Sequence, residues 1–200
     1  MDFKTKFDMA RRAAGGWFRQ RPGAASALYD WVEAAVFSLI CVILLFTFIF
    51  RVVGVEGPSM NRTLAQGDRL LLLRVYAQPR RGDIVVIDRY AVEPLVKRVI
   101  AVEGDTLDIL DGQVILNGEI LDEPYVQDPT PRNEFQEEIL IPEGYVFVMG
   151  DNRVNSKDSR STEIGLVRVA DLRGKAVFRF WPLAKFGGLS GKASKEAEVS

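Results

Sequence analysis

The hydrophobic pattern of the chain changes from one long apolar run to a series of short ones near residue 54. Residues 34–50 carry no charged side chain. As a helix this run would be about 25 Å long, close to the thickness of the hydrocarbon core of a bilayer. We therefore predict a transmembrane helix over residues 31–53. The alternatives are a buried core helix and a cleaved signal peptide, although no Ala-x-Ala-like cleavage site follows the run.

The distribution of basic residues around this run predicts its orientation. Only Arg51 is basic immediately after it, whereas several basic residues precede it: Lys4, Lys6, Arg11, Arg12, Arg19 and Arg21. The positive-inside rule then places residues 1–30 in the cytoplasm as a basic N-terminal segment. The remainder of the chain is expected on the outer side of the membrane.

Beyond the run, short β-branched segments bounded by Gly, Pro or Asp predict strands. They cover residues 69–75, 83–88, 96–102, 106–110, 113–116, 139–149 (two strands), and 165–169 with 174–181 as a final pair. Asp111-Gly112 and Asn117-Gly118 are signals for tight hairpins. Residues 122–138 read as a polar surface excursion. We predict a mostly β, antiparallel domain over residues 54–186 and a disordered tail over 187–200.

The amino-acid composition excludes or disfavours several classes of function for this chain. The chain has no histidine, one cysteine (Cys41) and a net charge of −1. A Ser-His-Asp triad and an intramolecular disulfide are therefore impossible, and a zinc enzyme is disfavoured. Without an excess of basic residues, nucleic acid is not a predicted partner. We expect no metal and no organic cofactor.

Ser59 and Lys97 are the candidates for nucleophilic chemistry. A serine after Gly57-Pro58 is more often a turn residue, and a strand lysine is usually solvated. Alternation, however, puts Lys97 on the strand face of Leu95 and Val99. If that face is the inner one, desolvation lowers the lysine pKa, and a neutral amine can accept the serine proton.

The 150–160 loop directly follows an apolar strand and is dense in polar residues. It could be an exposed loop rich in Asx turns, or it could carry functional groups. In the functional interpretation, Ser156 hydrogen-bonds the Lys97 amine, while Asp158 and Arg160 pair and hold the loop.

Three motifs in this order resemble those of bacterial type I signal peptidases. They are Gly57-Pro58-Ser59-Met60 with Thr63-Leu64, Lys97-Arg98-Val99 through Gly104-Asp105, and Gly150-Asp151-Asn152-Arg153 through Arg160. The resemblance extends from the apolar run to about Trp181. It implies an antiparallel β catalytic domain of the signal peptidase type. In that domain Ser59 would be the nucleophile and Lys97 the general base, Ser156 would orient Lys97, and Asp158 with Arg160 would form a supporting ion pair.

The resemblance also implies the substrate and the location. Signal peptides of exported preproteins would bind as an added strand. Their small residues would enter apolar pockets at positions matching Val55, Met60, Leu64, Leu95 and Val96. The enzyme would be anchored in the lipid bilayer of the bacterial cytoplasmic membrane, with its catalytic domain on the outer face. No oligomeric state is predicted.

Four positions depart from the family pattern. Arg62 stands where proline is usual, Ala101 where glycine is common, and Val154 replaces a polar residue. Gly57 occupies a position that in some members carries a serine stabilising the oxyanion, so the Ser59 backbone N–H would be the main donor.

A Ser/Lys peptidase with one dedicated substrate and a non-catalytic anchored β module are the alternative functions.

Overall fold

The computed structural model describes residues 24–74, 78–88 and 94–189. The chain divides into two compact units, residues 1–45 and 46–200. Helix α1 (Ala24–Phe48) begins in the first unit. Its segment Leu28–Phe48 has a mean hydropathy of 2.3 with none of it buried, so it is long and apolar enough to cross a membrane.

The C-terminal end of the predicted helix is wrong. Phe50–Gly54 form strand β1, which pairs antiparallel with β2 (Arg69–Leu73), whereas we predicted helix as far as residue 53. Val53 is the one fully buried residue of β1, whereas Arg51, Val52 and Gly54 are exposed. Apolar character alone could not separate this strand from the helix before it. At the other end, α1 begins seven residues earlier than predicted.

Within the described residues twelve strands form two antiparallel sheets, which confirms the predicted mostly β fold. The main sheet has the order β1-β2-β11-β3-β4-β9-β10, with β12 paired to β11, and the small sheet has the order β7-β6-β5-β8. The remaining bounds are β3 (Ile84–Ile87), β4 (Leu95–Val102), β5 (Thr106–Leu110), β6 (Gln113–Leu116), β7 (Glu119–Ile120), β8 (Ile139–Leu140), β9 (Tyr145–Met149), β10 (Val167–Arg168), β11 (Leu172–Trp181) and β12 (Gly187–Gly188).

Both predicted hairpin turns are present. Asp111 and Gly112 have φ of 48° and 80°, and Asn117 and Gly118 have φ of 55° and 82°. Two successive positive φ values are the requirement of a type I′ turn, which Asp-Gly and Asn-Gly meet at low cost. These turns join β5, β6 and β7 into the meander expected from the sequence.

The predicted pairing of the last two strands is wrong. β10 pairs with β9, whereas β11 inserts between β2 and β3. A short 3-10 turn at Val169–Asp171 separates them, and β11 has register shifts along its length. A Cβ at Gly174 would lie 2.5 Å from the Leu73 carbonyl oxygen, so a glycine permits the close approach of β11 to β2.

The predicted tail begins too early. Gly187–Gly188 pair with β11, and Leu189 packs against a buried cluster, so the β domain extends at least to residue 189. Residues 190–200, like residues 1–23 of the predicted cytoplasmic segment, lie outside the described residues.

Three apolar clusters meet along β4. Val96 belongs to the first cluster with Val55 and Leu70, Ile100 to the second beside the small sheet, and Val99 to the third. Every β4 residue from 96 to 101 is buried. Lys97 and Arg98 therefore lie in the interior of the domain, where charges need compensation.

Candidate active site

Lys97 is held out of water by the strand that carries it. The residue is 2% exposed and pairs across the sheet with Val85 of β3. Val85 and Val99 belong to the third apolar cluster. Burial lowers the pKa of Lys97 from 10.5 to about 8, a shift that Asp158 opposes and Arg160 reinforces. A useful fraction of Lys97 is therefore neutral near physiological pH.

Ser59 lies in a turn that is hydrogen-bonded to the 150–160 loop. The turn closes with a bond from the Asn61 N–H to the Pro58 carbonyl, 3.0 Å long, and the Ser59 residue is half-buried. The Asn152 backbone N–H donates to the Ser59 carbonyl oxygen at 3.0 Å, and the Asn152 side-chain amide donates to the Pro58 carbonyl at 3.1 Å. Motifs that are about ninety residues apart thus meet at the Ser59 main chain.

Gly150 allows the Ser59 main chain and the Ser156 side chain to lie close together. We call these three residues and their surroundings the Ser59 corner. A Cβ at Gly150 would lie 2.5 Å from the Ser59 carbonyl oxygen and 2.7 Å from the Ser156 Cβ. No larger residue fits there without moving the backbone of Ser59. The Ser156 hydroxyl oxygen is itself buried, in the vicinity of Asp158.

Asp158 and Arg160 form a buried bidentate ion pair. Both side chains are 0% exposed, and Arg160 Nε and Nη2 each donate to a different Asp158 oxygen at 2.8 Å. Asp158 also accepts the Gly150 N–H at 3.0 Å. Burial raises the pKa of Asp158, but the hydrogen bonds and charge of Arg160 outweigh burial and leave the pKa lowered. The carboxylate is thus kept ionised and fixed against the loop.

A second buried ion pair, between Arg98 and Asp151, was not predicted. Arg98 Nε and Nη2 donate to the two Asp151 oxygens at 2.8 and 2.6 Å, and the side chains are 3% and 0% exposed. Thr63 Oγ1 donates to Asp151 at 2.5 Å. The pair therefore connects all three motifs. Its sequence signal is that Arg98 alternates with the apolar residues Val96 and Ile100 on one face of a strand, since an arginine buried on such a face requires an anionic partner.

The excursion at residues 122–138 is also more buried than predicted. Glu123 forms an ion pair with Arg153, whose side chain is 0% exposed, and Thr130 and Phe135 are buried. Polar composition suggested a solvated loop, but its charged groups are satisfied inside the domain.

The structure brings together four of the five predicted pocket residues. Val55, Met60, Leu64 and Val96 belong to the first apolar cluster. Leu95 packs against the third cluster instead, because neighbouring strand residues point to opposite faces. The five residues expected to line the pockets thus lie against two different apolar clusters.

A cavity of about 400 Å³ lies beside the small sheet, and Ser59, Lys97 and Ser156 are not among its lining residues. It is lined by the β5–β6 turn and the excursion, including Gly112, Glu123 and Thr130. Within the described residues, no group of three Asp, Glu or Cys side chains could hold a metal ion. The structure places the Ser59 main chain and Ser156 beside Gly150, which Asp158 also contacts, and Lys97 lies near enough to Asp158 and Arg160 for their charges to affect its pKa.

Arg62 has a conformation that proline cannot adopt. Its φ is 87°, and the Thr63 N–H donates to the Met60 carbonyl at 3.2 Å across it. A side chain at positive φ costs about 1–2 kcal/mol. The turn after Ser59 therefore differs from the one that proline, fixed near −65°, would form.

This conformation predicts opposite effects of two substitutions. Arg62→Gly is expected to raise the free energy of unfolding by about 1 kcal/mol, and Arg62→Pro to lower it by at least as much. Thermal unfolding of the detergent-solubilised protein measures both changes. Arg62→Lys, which keeps the charge and the strain, is the control and should match the wild type. A higher Tm for Arg62→Pro would show that residue 62 has a negative φ.

Comparison with known proteins covers both the helix and the β domain. A family model described as signal peptidase, peptidase S26, matches residues 28–181. Signal peptidase I of Bacillus licheniformis is 35% identical over 169 residues, which cover 78% of this chain and 90% of that protein. Signal peptidase I of Leptolyngbya laminosa is 33% identical over 181 residues, or 84% and 87% of the two proteins. A crystal structure of a signal peptidase I from Enterococcus faecalis V583 matches 49% of this chain and 96% of its own, at 30% identity and a TM-score of 0.41.

Proposed function

Since the chain belongs to the signal peptidase family, whose members are serine peptidases that remove signal peptides, we propose that Ser59 is its nucleophile and Lys97 its general base. The observation that carries this proposal is the burial of Lys97, which lowers the pKa of the amine to about 8. An ordinary lysine, with a pKa near 10.4, would be almost fully protonated at neutral pH and could not accept a proton.

The proposed reaction is acyl transfer in two steps. Neutral Lys97 takes the proton of the Ser59 hydroxyl as Oγ attacks the scissile carbonyl. The peptide bond breaks, the Lys97 ammonium gives its proton to the departing amine, and the signal peptide stays bound as an ester of Ser59. Lys97 then deprotonates a water molecule, which hydrolyses the ester and restores both side chains.

Hydrogen bonds around Ser59 support its role in this reaction. The Asn152 N–H fixes the Ser59 main chain by donating to its carbonyl oxygen. The Ser59 backbone N–H is the proposed donor to the oxyanion. Gly57 has no side-chain hydroxyl that could serve as a second donor. Ser156, buried in the same corner, is proposed to orient the Lys97 amine.

The substrate is proposed to be the signal peptide of an exported preprotein. It would add as a strand beside the Ser59 turn and place its small side chains against the first apolar cluster, at Val55, Met60, Leu64 and Val96. Leu95 would contribute from the strand that carries Lys97. A tightly packed apolar wall favours alanine-sized residues because it excludes larger ones.

Helix α1 is proposed to anchor the enzyme in the bacterial cytoplasmic membrane. Its length and mean hydropathy suit a single span. The basic residues before it favour a cytoplasmic N-terminus and a catalytic domain on the outer face.

Cleavage of a preprotein with an Ala-x-Ala site tests the proposal. The detergent-solubilised full chain should release the mature protein with a new N-terminus directly after that site, as read by mass spectrometry. Ser59→Ala should reduce the rate by at least about 10³-fold, because the nucleophile is lost. Ser161→Ala, which removes a hydroxyl that accepts from the Glu163 N–H and also interacts with the exposed Glu134, is the control and should cleave normally.

Each other outcome points to a different function. Cleavage by Ser59→Ala at a tenth of the wild-type rate would reject Ser59 as the nucleophile. If the wild type cleaves one preprotein out of several unrelated ones, the enzyme has a dedicated substrate. If it cleaves none while folded, the non-catalytic interpretation replaces the proposal.

A further inference from the structure

The excursion supplies a carboxylate that holds the 150–160 loop. Glu123 accepts hydrogen bonds from Arg153 Nη1 at 2.8 Å and Nη2 at 2.5 Å. The Glu123 side chain is 8% exposed and that of Arg153 is 0% exposed. Arg153 also donates to Thr130 Oγ1 at 2.7 Å, which ties it to a second point of the excursion.

Tyr125 links this ion pair to the one on β4. Its hydroxyl donates to Glu123 Oε1 at 2.9 Å, and its ring centre lies 3.9 Å from the central carbon of the Arg98 guanidinium. Burial and the charge of Glu123 raise the pKa of Tyr125, so the hydroxyl stays protonated. A guanidinium stacked on an aromatic face is held in orientation as well as attracted.

The two ends of this chain of contacts reach adjacent residues, Gly150 and Asp151. Arg153 Nε donates to the Gly150 carbonyl oxygen at 3.1 Å, while Arg98 makes its bidentate bond to Asp151. The next residue, Asn152, donates its backbone N–H to the Ser59 carbonyl. Asp151, Arg98, Tyr125, Glu123 and Arg153 thus form a closed ring around the segment that holds Ser59.

The charges in the ring balance. Two arginines face two carboxylates, all with side chains at most 8% exposed. Removing one charge leaves its partner buried without compensation, and the partner then moves toward water or another group. Because both arginines hold Gly150 or Asp151, such a movement is transmitted to the Ser59 carbonyl.

We propose that Glu123 and Tyr125 are positioning residues, which fix the Ser59 nucleophile through Arg153 and Arg98. This inference rests on the proposed function of Ser59. Neither residue is among those proposed to contact substrate, which are Val55, Met60, Leu64 and Val96 of the first apolar cluster and Leu95 beside the third. Their loss therefore lowers kcat and leaves KM nearly unchanged, since a displacement of about 1 Å at a reacting group can cost about 10²-fold in rate.

The test compares kcat and KM of full-chain variants in detergent, at a temperature where thermal unfolding shows each variant folded. Glu123→Gln and Tyr125→Leu should each lower kcat by about 10²-fold, with KM within about twofold of the wild type. Tyr125→Phe keeps the ring against Arg98 and should retain most of kcat. Asp108→Asn is the matched control, because it breaks the 2.7 Å pair that joins Arg132 of the excursion to the small sheet. It should leave kcat unchanged.

A double variant keeps the test decisive if the single variants fail to fold. Glu123→Leu with Arg153→Met removes both charges together, so neither is left buried without its partner. It also removes the bond to the Gly150 carbonyl, so its kcat should still be low. A folded double variant with full kcat overturns the inference.

Other results overturn the inference in recognisable ways. Folded Glu123→Gln and Tyr125→Leu with wild-type kcat, an equal loss in Asp108→Asn, or a loss confined to KM would each reject the positioning role. If Ser59→Ala is inactive while Glu123→Gln is fully active, the positioning role alone fails. Cleavage by Ser59→Ala would instead reject the proposed function.

Discussion

Lys97→Met is expected to abolish cleavage and, at the same time, to make the folded protein more stable at neutral pH. The loss of kcat/KM should be at least about 10³-fold, because the variant has no group to accept the Ser59 proton. The gain arises because burial disfavours the charged amine. A pKa lowered from 10.5 to about 8 corresponds to about 3 kcal/mol at pH 7.

The sign of the pH dependence follows from proton binding. Between pH 8 and 10.5 the unfolded state holds the Lys97 proton and the folded state does not, so wild-type stability rises with pH in this window. The stability advantage of Lys97→Met should therefore be constant below about pH 8 and shrink as the pH approaches 10.5. Thermal unfolding of both proteins at several pH values measures it.

The same pKa predicts the activity profile of the wild type. Its kcat/KM should fall about tenfold for each pH unit below 8, as the amine becomes protonated, and level off above it.

Lys157→Met is the matched control for Lys97→Met. Lys157 pairs with Glu163 on the surface, with its side chain 58% exposed. Its replacement should change the free energy of unfolding by less than about 0.5 kcal/mol and leave activity intact. If Lys97→Met keeps a tenth of wild-type activity, Lys97 is not the base. If it is markedly less stable than the wild type, the ammonium has favourable partners in the fold.

Arg160→Met is expected to cause the largest loss of stability, about 3–5 kcal/mol. The substitution leaves the Asp158 carboxylate, 0% exposed, without its cation. It also removes hydrogen bonds from Arg160 to the carbonyls of Pro131 and Arg153, at 3.0 and 2.9 Å. Cleavage should weaken as well, because Asp158 holds the Gly150 N–H beside Ser59.

The effect of Arg160→Met should depend on pH. In the wild type the pKa of Asp158 is lowered, so its stabilising contribution is present above the unfolded-state pKa, near 3.9, and is lost as the pH falls through the folded-state pKa. In the variant, burial without Arg160 favours the protonated carboxyl. The stability difference between the two proteins should thus shrink as the pH is lowered through about 4.

Urea unfolding at pH 7 and at pH 4 measures this difference. Arg168→Met is the control, since the Arg168–Asp171 pair has an Arg168 side chain that is 46% exposed. Its loss should cost no more than about 1 kcal/mol. A similar small cost for Arg160→Met would mean that Asp158 finds compensation elsewhere in the loop.

Local patterns in the sequence were sufficient for the hairpins and the general architecture. Asp111-Gly112 and Asn117-Gly118 specify tight turns because their preference for positive φ is intrinsic to the residues. Period-two alternation identified the strand that carries Lys97 and placed Lys97 on the face of Leu95 and Val99. It left open whether that face is buried, and in the structure both faces of β4 are buried from residue 96 to residue 101. The pattern did not predict β1, because Phe50–Gly54 continue an apolar run and only pairing with β2 makes them a strand.

The residues of the candidate site likewise fall into those that the sequence predicted and those that it did not. Ser59, Lys97, Ser156, Asp158 and Arg160 follow from the motifs and their order, and the Asp158–Arg160 pair spans two positions of a single loop. Arg98–Asp151 and Glu123–Arg153 join residues 53 and 30 positions apart. No local preference encodes such partners.

The sequence by itself thus determined an apolar helix followed by antiparallel strands, and it named the residues that are proposed for serine–lysine chemistry. Only the tertiary structure decided that β11 inserts between β2 and β3, that Leu95 faces a different cluster from Val96, and that the excursion braces the 150–160 loop. It also decided how far Lys97 is removed from water, on which its proposed chemistry depends. The physical reason is that turn and strand preferences act between near neighbours. Burial and ion pairing depend instead on the segments that the complete fold packs together.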